Sequence, residues 1–281
     1  MRNNEERAGS KKSQSNSTAA TQAAAGLAPL EFVRPTTIVA LPTEGKFYPE
    51  GHPLHNQDTV EIRQMTTAEE DILSSRTLLR KGLAIDKFLE RLLVDSQITP
   101  DQLTVSDKNA LIIQARIDGY GSEYTTQISC PACTATQKYS FDLDEDVQVT
   151  GGSGEGSEAT GTGTFTTTLD NDWVVEFKAL TGADEKRLVK AMESTKKAGL
   201  PERTIQDQLT TMIVSVSGHT DKMTIAKAVE HMTGKHSRQI REAYKSAVPN
   251  VEIRGEINCN ACGTATEMEV PLTADFFWAR T

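Results

Sequence analysis

ISCPACTATQKYSFDL (residues 128–143) and INCNACGTATEMEVPL (residues 257–272) decide how this chain is read. Each holds two cysteines, Cys130 and Cys133 in the first and Cys259 and Cys262 in the second, at a spacing that lets both sulfurs face one cation. The two stretches keep register around the cysteines: Ile128 corresponds to Ile257, Tyr139 to Met268, Phe141 to Val270 and Leu143 to Leu272. Alternating strand residues follow each pair, so each stretch predicts a β-hairpin with Cys-x-x-Cys at its tip. Ser129, Pro131 and Thr134 in one tip, and Asn258, Asn260 and Gly263 in the other, suit tight turns. One tip supplies two ligands, whereas a structural zinc site takes four. The two hairpins are therefore expected to meet over one structural Zn2+ as a zinc-ribbon-like module, with Cys130, Cys133, Cys259 and Cys262 as ligands. The alternatives are redox pairs and unligated core cysteines. A thioredoxin-type pair opens a helix after a strand, which is not the pattern here. Four thiolates leave no open position for water, which argues against a catalytic zinc.

A second internal match supports a duplication. VEIRQMTTAEEDIL (60–73) aligns without gaps on VEFKALTGADEKRL (175–188) at an offset of 115 residues, whereas the cysteine pairs lie 129 apart. The difference implies a modest insertion in the helical part of the second copy. Each copy reads as a strand, a threonine, a spacer and two acids, then a helix. Thr66 with Glu69, and Thr181 with Asp184, have the spacing of a capping box, and the acids suit the positive end of the helix dipole. Apolar spacing predicts helices over 67–80, 84–95 and 106–118, then over 182–197, 203–216, 222–232 and 236–246. The expected fold class is α+β, a tandem duplication of a strand–helices–hairpin unit. Residues 1–34 read as a disordered polar tail, with a basic cluster at Arg2, Arg7, Lys11 and Lys12. Repeat 1 spans 35–150, a Gly/Ser/Thr linker or long loop 151–164, repeat 2 165–275, and an aromatic tail 276–281. Phe276, Phe277 and Trp278 in that tail either cover the hairpins or dock into a partner.

Charge and motif searches narrow the function. The 281 residues carry 39 acids against 30 bases, for a formal charge of −9, which disfavours a chain-wide basic surface for nucleic acid or anionic lipid. No run of 18 apolar residues reads as a membrane span, and MRNNEERAGSKKSQSNS is no secretory signal. His52 and His55 read as loop residues, and His231 and His236 do not share a helical face. GGSGEG (151–156) lacks the Gly-Lys-Ser/Thr of a phosphate loop, and the cluster Asp142, Asp144, Glu145 and Asp146 reads as a solvated face. Trp173 alternates with Val175 and Phe177 as core strand residues do. Nothing forms a catalytic constellation, so the chain reads as no enzyme. A zinc-ribbon nucleic-acid-binding protein is the alternative, although Lys138 and Arg254 are nearly the only bases on the hairpins.

LPTEGKFYPEGHPL (41–54), followed by VEIRQMTTAEEDIL and the hairpin carrying Cys130 and Cys133, resembles the T4-like bacteriophage baseplate protein family over most of residues 38–273. The resemblance implies a structural or assembly role in a contractile phage tail, as a hub component or a hub-assembly factor. It implies other baseplate or hub proteins as partners, and a place in the virion tail baseplate or in the host cytoplasm during assembly. It brings no catalytic residues.

Overall fold

The computed structural model describes residues 32–270, 272 and 274–277. The tail expected over 1–34 lies almost wholly outside the described residues, as does Trp278. Pro35–Thr281 forms one compact unit.

That unit is a mixture of helices and small antiparallel sheets. Strands β1 (Thr36–Ala40) and β2 (Thr59–Arg63) pair as a two-stranded ribbon. Helices α1 (Thr67–Ser74), α2 (Arg76–Arg80), α3 (Ala84–Leu92) and α4 (Val105–Tyr120) follow, then the hairpin of β3 (Glu123–Ser129) and β4 (Thr136–Asp142). After β5 (Val147–Thr150) come β6 (Glu158–Ala159), β7 (Thr164–Thr168) and β8 (Val174–Lys178). Helices α5 (Gly182–Lys197) and α6 (Thr204–Met212), strand β9 (Ile213–Val216), and helices α7 (Lys222–His231) and α8 (Gly234–Ala247) complete the second helical region. The chain closes with the hairpin of β10 (Asn250–Asn258) and β11 (Ala265–Val270) and a short 3-10 turn at Ala274–Phe277. Strands β6–β7–β8–β9 make one sheet and β11–β10–β5 another.

The threonine–acid spacing caps both helices that follow the matched strands. The Glu69 carboxylate accepts from the Thr66 N–H (2.9 Å) and hydroxyl (2.6 Å) at α1. The Asp184 carboxylate accepts from the Thr181 N–H (3.2 Å), and Thr181 Oγ1 in turn accepts from the Asp184 N–H (3.4 Å) at α5. Both acids are buried, and each meets a cation: Arg91 Nε donates to Glu69 (2.6 Å), while Lys178 and Arg187 pair with Asp184.

The helix expected over 203–216 requires correction. It ends at Met212, and Ile213–Val216 is strand β9, paired with β8. The sequence IVSV is rich in β-branched residues, whose stiff side chains suit a strand, and β8 has an edge for them to join. The helix expected over 67–80 is also divided, by extended backbone at Ser75.

Two apolar cores sit inside the unit. The first takes Ile62, Phe88, Leu111 and Phe141 from the N-terminal half, together with Val251, Ile253, Ile257 and Val270 from the second hairpin. The second gathers Val175, Phe177, Leu209, Met212, Ile240 and Ala243, with Trp173 partly buried against it. The β10–β11 hairpin thus completes the core begun by the other hairpin, not the core nearest to it in sequence. Phe276 and Phe277 are buried in that same first core, against Tyr124 (ring centroids 4.9 Å apart) and Phe88 (4.9 Å).

The opening segment LPTEGKFY is fixed by one carboxylate. Asp107, fully buried on α4, accepts from the Thr43 N–H (3.1 Å), the Thr43 hydroxyl (2.6 Å) and the Tyr48 hydroxyl (2.6 Å). Burial, and then the Asp107 charge, push the Tyr48 phenol well above its ordinary range, so it stays a donor.

Candidate metal centre

Both cysteine turns are built by the same main-chain hydrogen bonds. In the first, the Cys130 N–H donates to Ala135 O (2.9 Å) and the Thr134 N–H to Cys130 O (2.9 Å). In the second, the Cys259 N–H donates to Thr264 O (3.0 Å) and the Gly263 N–H to Cys259 O (2.8 Å). The closing residue is left-handed in both, Thr134 at φ +60° and Gly263 at φ +70°. Glycine takes that conformation without strain; a β-branched threonine does not.

The hairpins are held together below the turns. The Tyr139 hydroxyl donates to Glu256 O (2.7 Å) and the Gln137 side-chain amide to Asn258 O (3.0 Å). Gln137 Oε1 accepts from the Asn260 N–H (2.9 Å), so one side chain of the first hairpin spans the base of the second turn. Gly255 makes the approach possible, because a Cβ there would lie 2.6 Å from the Phe141 ring. Sequence reading missed Gln137 and Gly255 as positioning residues. Their only signal is register: Gln137 sits on the turn-proximal end of β4, and Gly255 interrupts a strand otherwise rich in β-branched and charged residues.

The result is a cluster of four sulfurs, all within 4.8 Å of one another. Two of the separations cross between hairpins at 3.8 Å for Cys130–Cys262 and 3.6 Å for Cys133–Cys259. Four sulfurs at about 2.3 Å from a tetrahedral zinc stand roughly 3.8 Å apart, so the donor set and its spacing both fit that ion. Cys130 and Cys259 are buried, while Cys133 and Cys262 lie at the surface.

The protein also biases these thiols unequally. The hydroxyl and N–H of Thr264, with the neighbouring thiols Cys133 and Cys259, hold the Cys262 thiol down to about 6. The N–H groups of Cys133 and Ala132 lower Cys130. The Ala135 amide favours the Cys133 thiolate, but proton sharing with Cys262 and Cys259 outweighs it and pushes Cys133 up to about 12. Main-chain N–H groups aimed at sulfur also support bound thiolates.

None of the histidines joins this cluster, and among the described residues no other group of His, Cys, Asp and Glu has metal-site spacing. His52 stacks on Tyr48 (centroids 4.6 Å apart) and accepts from the Leu54 N–H (3.1 Å), and His55 Nδ1 lies 2.7 Å from Tyr48 O. His236 Nε2 lies 2.7 Å from Asp170. The two bases near the hairpins do not form a basic face, since Arg254 is paired with Glu252 and Glu267. No helix among the described residues is long and apolar enough to cross a membrane.

In comparisons with known proteins, residues 35–278 match the family model described as T4 bacteriophage base plate protein. No curated protein and no solved structure matches the chain.

Proposed function

The chain belongs to the T4 bacteriophage base plate protein family, and from that membership we propose that it is a non-enzymatic structural or assembly protein of a contractile-tail baseplate, acting as a hub component or a hub-assembly factor. The observation that carries this reading is the extent of the family match, which takes in both cores and both cysteine hairpins. Its partners are other baseplate or hub proteins, and its place is the virion tail baseplate, reached through the host cytoplasm during assembly. Mass spectrometry of purified particles and deletion of the gene from the phage test it together. Absence of the protein from particles, combined with normal tails in the deletion, overturns the reading. Presence in particles marks a component; defective tails without presence mark an assembly factor.

Within that role, Cys130, Cys133, Cys259 and Cys262 hold one structural Zn2+. Sulfur spacing, donor type and the N–H groups around the thiols support this assignment. The bound ion supplies a covalent-like cross-link between two hairpins remote in sequence, while Gln137, Tyr139 and Gly255 set their mutual position. Elemental analysis of the purified chain is expected to return one zinc per molecule; a folded protein free of metal overturns it. The two units descend from a tandem duplication, a reading supported by the matched turn hydrogen bonds and the matched helix caps. The nucleic-acid alternative loses ground to the acids Glu252 and Glu267, which occupy the nearby arginine.

A further inference from the structure

A second feature of the fold lies away from the cysteines. The opening loop and the glycine-rich segment 151–164 form the walls of a cleft of about 970 Å³, lined by Phe47, Glu50, Val149, Ala159, Gly163 and Phe165 among others. Two sheets end at this cleft, since β5 is the last strand of one and β6 the last strand of the other.

The registers say which main-chain groups these edges offer. The Arg254 N–H donates to Asp146 O (3.0 Å), and Val251 stands opposite Val149. Hydrogen-bonded pairs alternate along an antiparallel ladder, so Gln148 and Thr150 face β10 while the N–H and C=O of Val149 turn away from it. On β6, the Thr160 N–H donates to Thr164 O (3.0 Å) and Ala159 stands opposite Phe165. The same alternation turns Ala159 away from β7. Among the described residues neither Val149 nor Ala159 has a main-chain partner on that side.

Neither edge carries lysine or proline: β5 (VQVT) has no charged residue and Val149 is 61% exposed, while β6 (EA) is blunted only by its two-residue length and by Glu158. The cleft is also preformed. The Gly154 N–H donates to Ser246 O (3.1 Å), the Phe47 and Phe165 rings stand 5.3 Å apart, and a Cβ on Gly163 would lie only 3.0 Å from Phe47 O. Its charge has a sign. Of the lining charges, Glu44 and Lys46 pair with each other, which leaves Glu50 on one wall, and β6 adds Glu158 beside the lining residue Ala159.

We propose that this cleft seats an extended, Lys/Arg-bearing segment of a partner protein, which adds as a strand to the open edge at Val149 or Ala159. Identifying that partner as a baseplate protein rests on the function proposed above; the strand addition itself does not.

Proline tests the edge selectively, because at Val149 or Ala159 it deletes only an outward N–H and leaves the existing ladder intact. The full-length chain is titrated with a synthetic hexapeptide of alternating lysine and valine while the amide resonances are followed. Shifts centred on Val149 and Ala159 are expected, weakening with salt. Val149→Pro or Ala159→Pro should lower affinity about tenfold, the equivalent of roughly one main-chain hydrogen bond of 1.4 kcal/mol. Absence of shifts there, or equal binding by both folded proline variants, overturns the proposal. Shifts at these residues on raising protein concentration without peptide would assign the edge to a second copy and overturn the partner assignment. If a proline variant fails to fold, amide exchange at Val149 and Ala159 in the wild-type chain decides: no slowing on saturation with the peptide overturns it. Complementation of a gene-deleted phage by the wild-type chain is scored separately, and its failure counts against the baseplate reading alone.

Discussion

The two cysteine hairpins share a turn but not a setting. β3–β4 stands as a two-stranded sheet, whereas β10–β11 has recruited β5 as a third strand. The first turn closes through a strained Thr134, the second through Gly263. The first hairpin supplies the side chains that reach across, Gln137 and Tyr139; the second supplies the main-chain groups that receive them and the gap at Gly255. What the pair shares is the geometry of sulfur presentation. What differs is everything that decides which hairpin leans on which.

If both turns feed one metal, loss of either should cost the same. Cys130→Ser and Cys259→Ser are each expected to lower stability by several kcal/mol and to abolish stoichiometric zinc, as chelation does, measured by thermal melting with metal analysis. A large loss for one and none for the other breaks the symmetry and with it the shared site. The approach of the hairpins is the next target. Gly255→Val drives a branched side chain into the Phe141 ring and should cost about 1–3 kcal/mol by denaturant unfolding. Adding Phe141→Leu to that variant should recover part of the loss.

Exchanging the closing residues tests the turns alone. Thr134→Gly should relieve left-handed strain and stabilise the chain by up to about 1 kcal/mol, while Gly263→Thr destabilises it by a similar amount. Equal signs for the two would mean that the turns are not equivalent. The last contrast is chemical. In metal-free protein Cys262 should be the thiol alkylated first by iodoacetamide at neutral pH, with its rate falling as pH drops through about 6 and the thiolate is protonated. Cys133, pushed up to about 12, should lag until strongly alkaline pH, and zinc should protect both.

How much of this was legible beforehand follows the range of the interactions. The cysteine turns, the caps at Thr66 and Thr181 and most helices depend on residues a few positions apart, and the sequence spells them out. The helix expected over 203–216 went wrong at its end because Leu209, Met212, Ile213 and Val216 keep helical spacing. Only the edge of β8 turns Ile213–Val216 into a strand. Asp107 gave no signal at all, since its partners Thr43 and Tyr48 are 64 and 59 positions away. The lodging of β10–β11 in the first core was hidden for the same reason. Apolar alternation announces that a hairpin has a buried face, not which surface it covers.

That lodging has a consequence for how the chain is made. A ribosome emits Phe88, Leu111 and Phe141 long before Ile253, Val270 and Phe277, which complete the same apolar cluster. The intervening core can close while its predecessor still waits, because its buried members come almost entirely from residues 169–247. The N-terminal half therefore remains greasy and uncovered until Phe277 has been added, the state in which nascent chains are most prone to stick to one another. A product released before Phe277 is not a slightly shorter protein but one missing the lid of its oldest part.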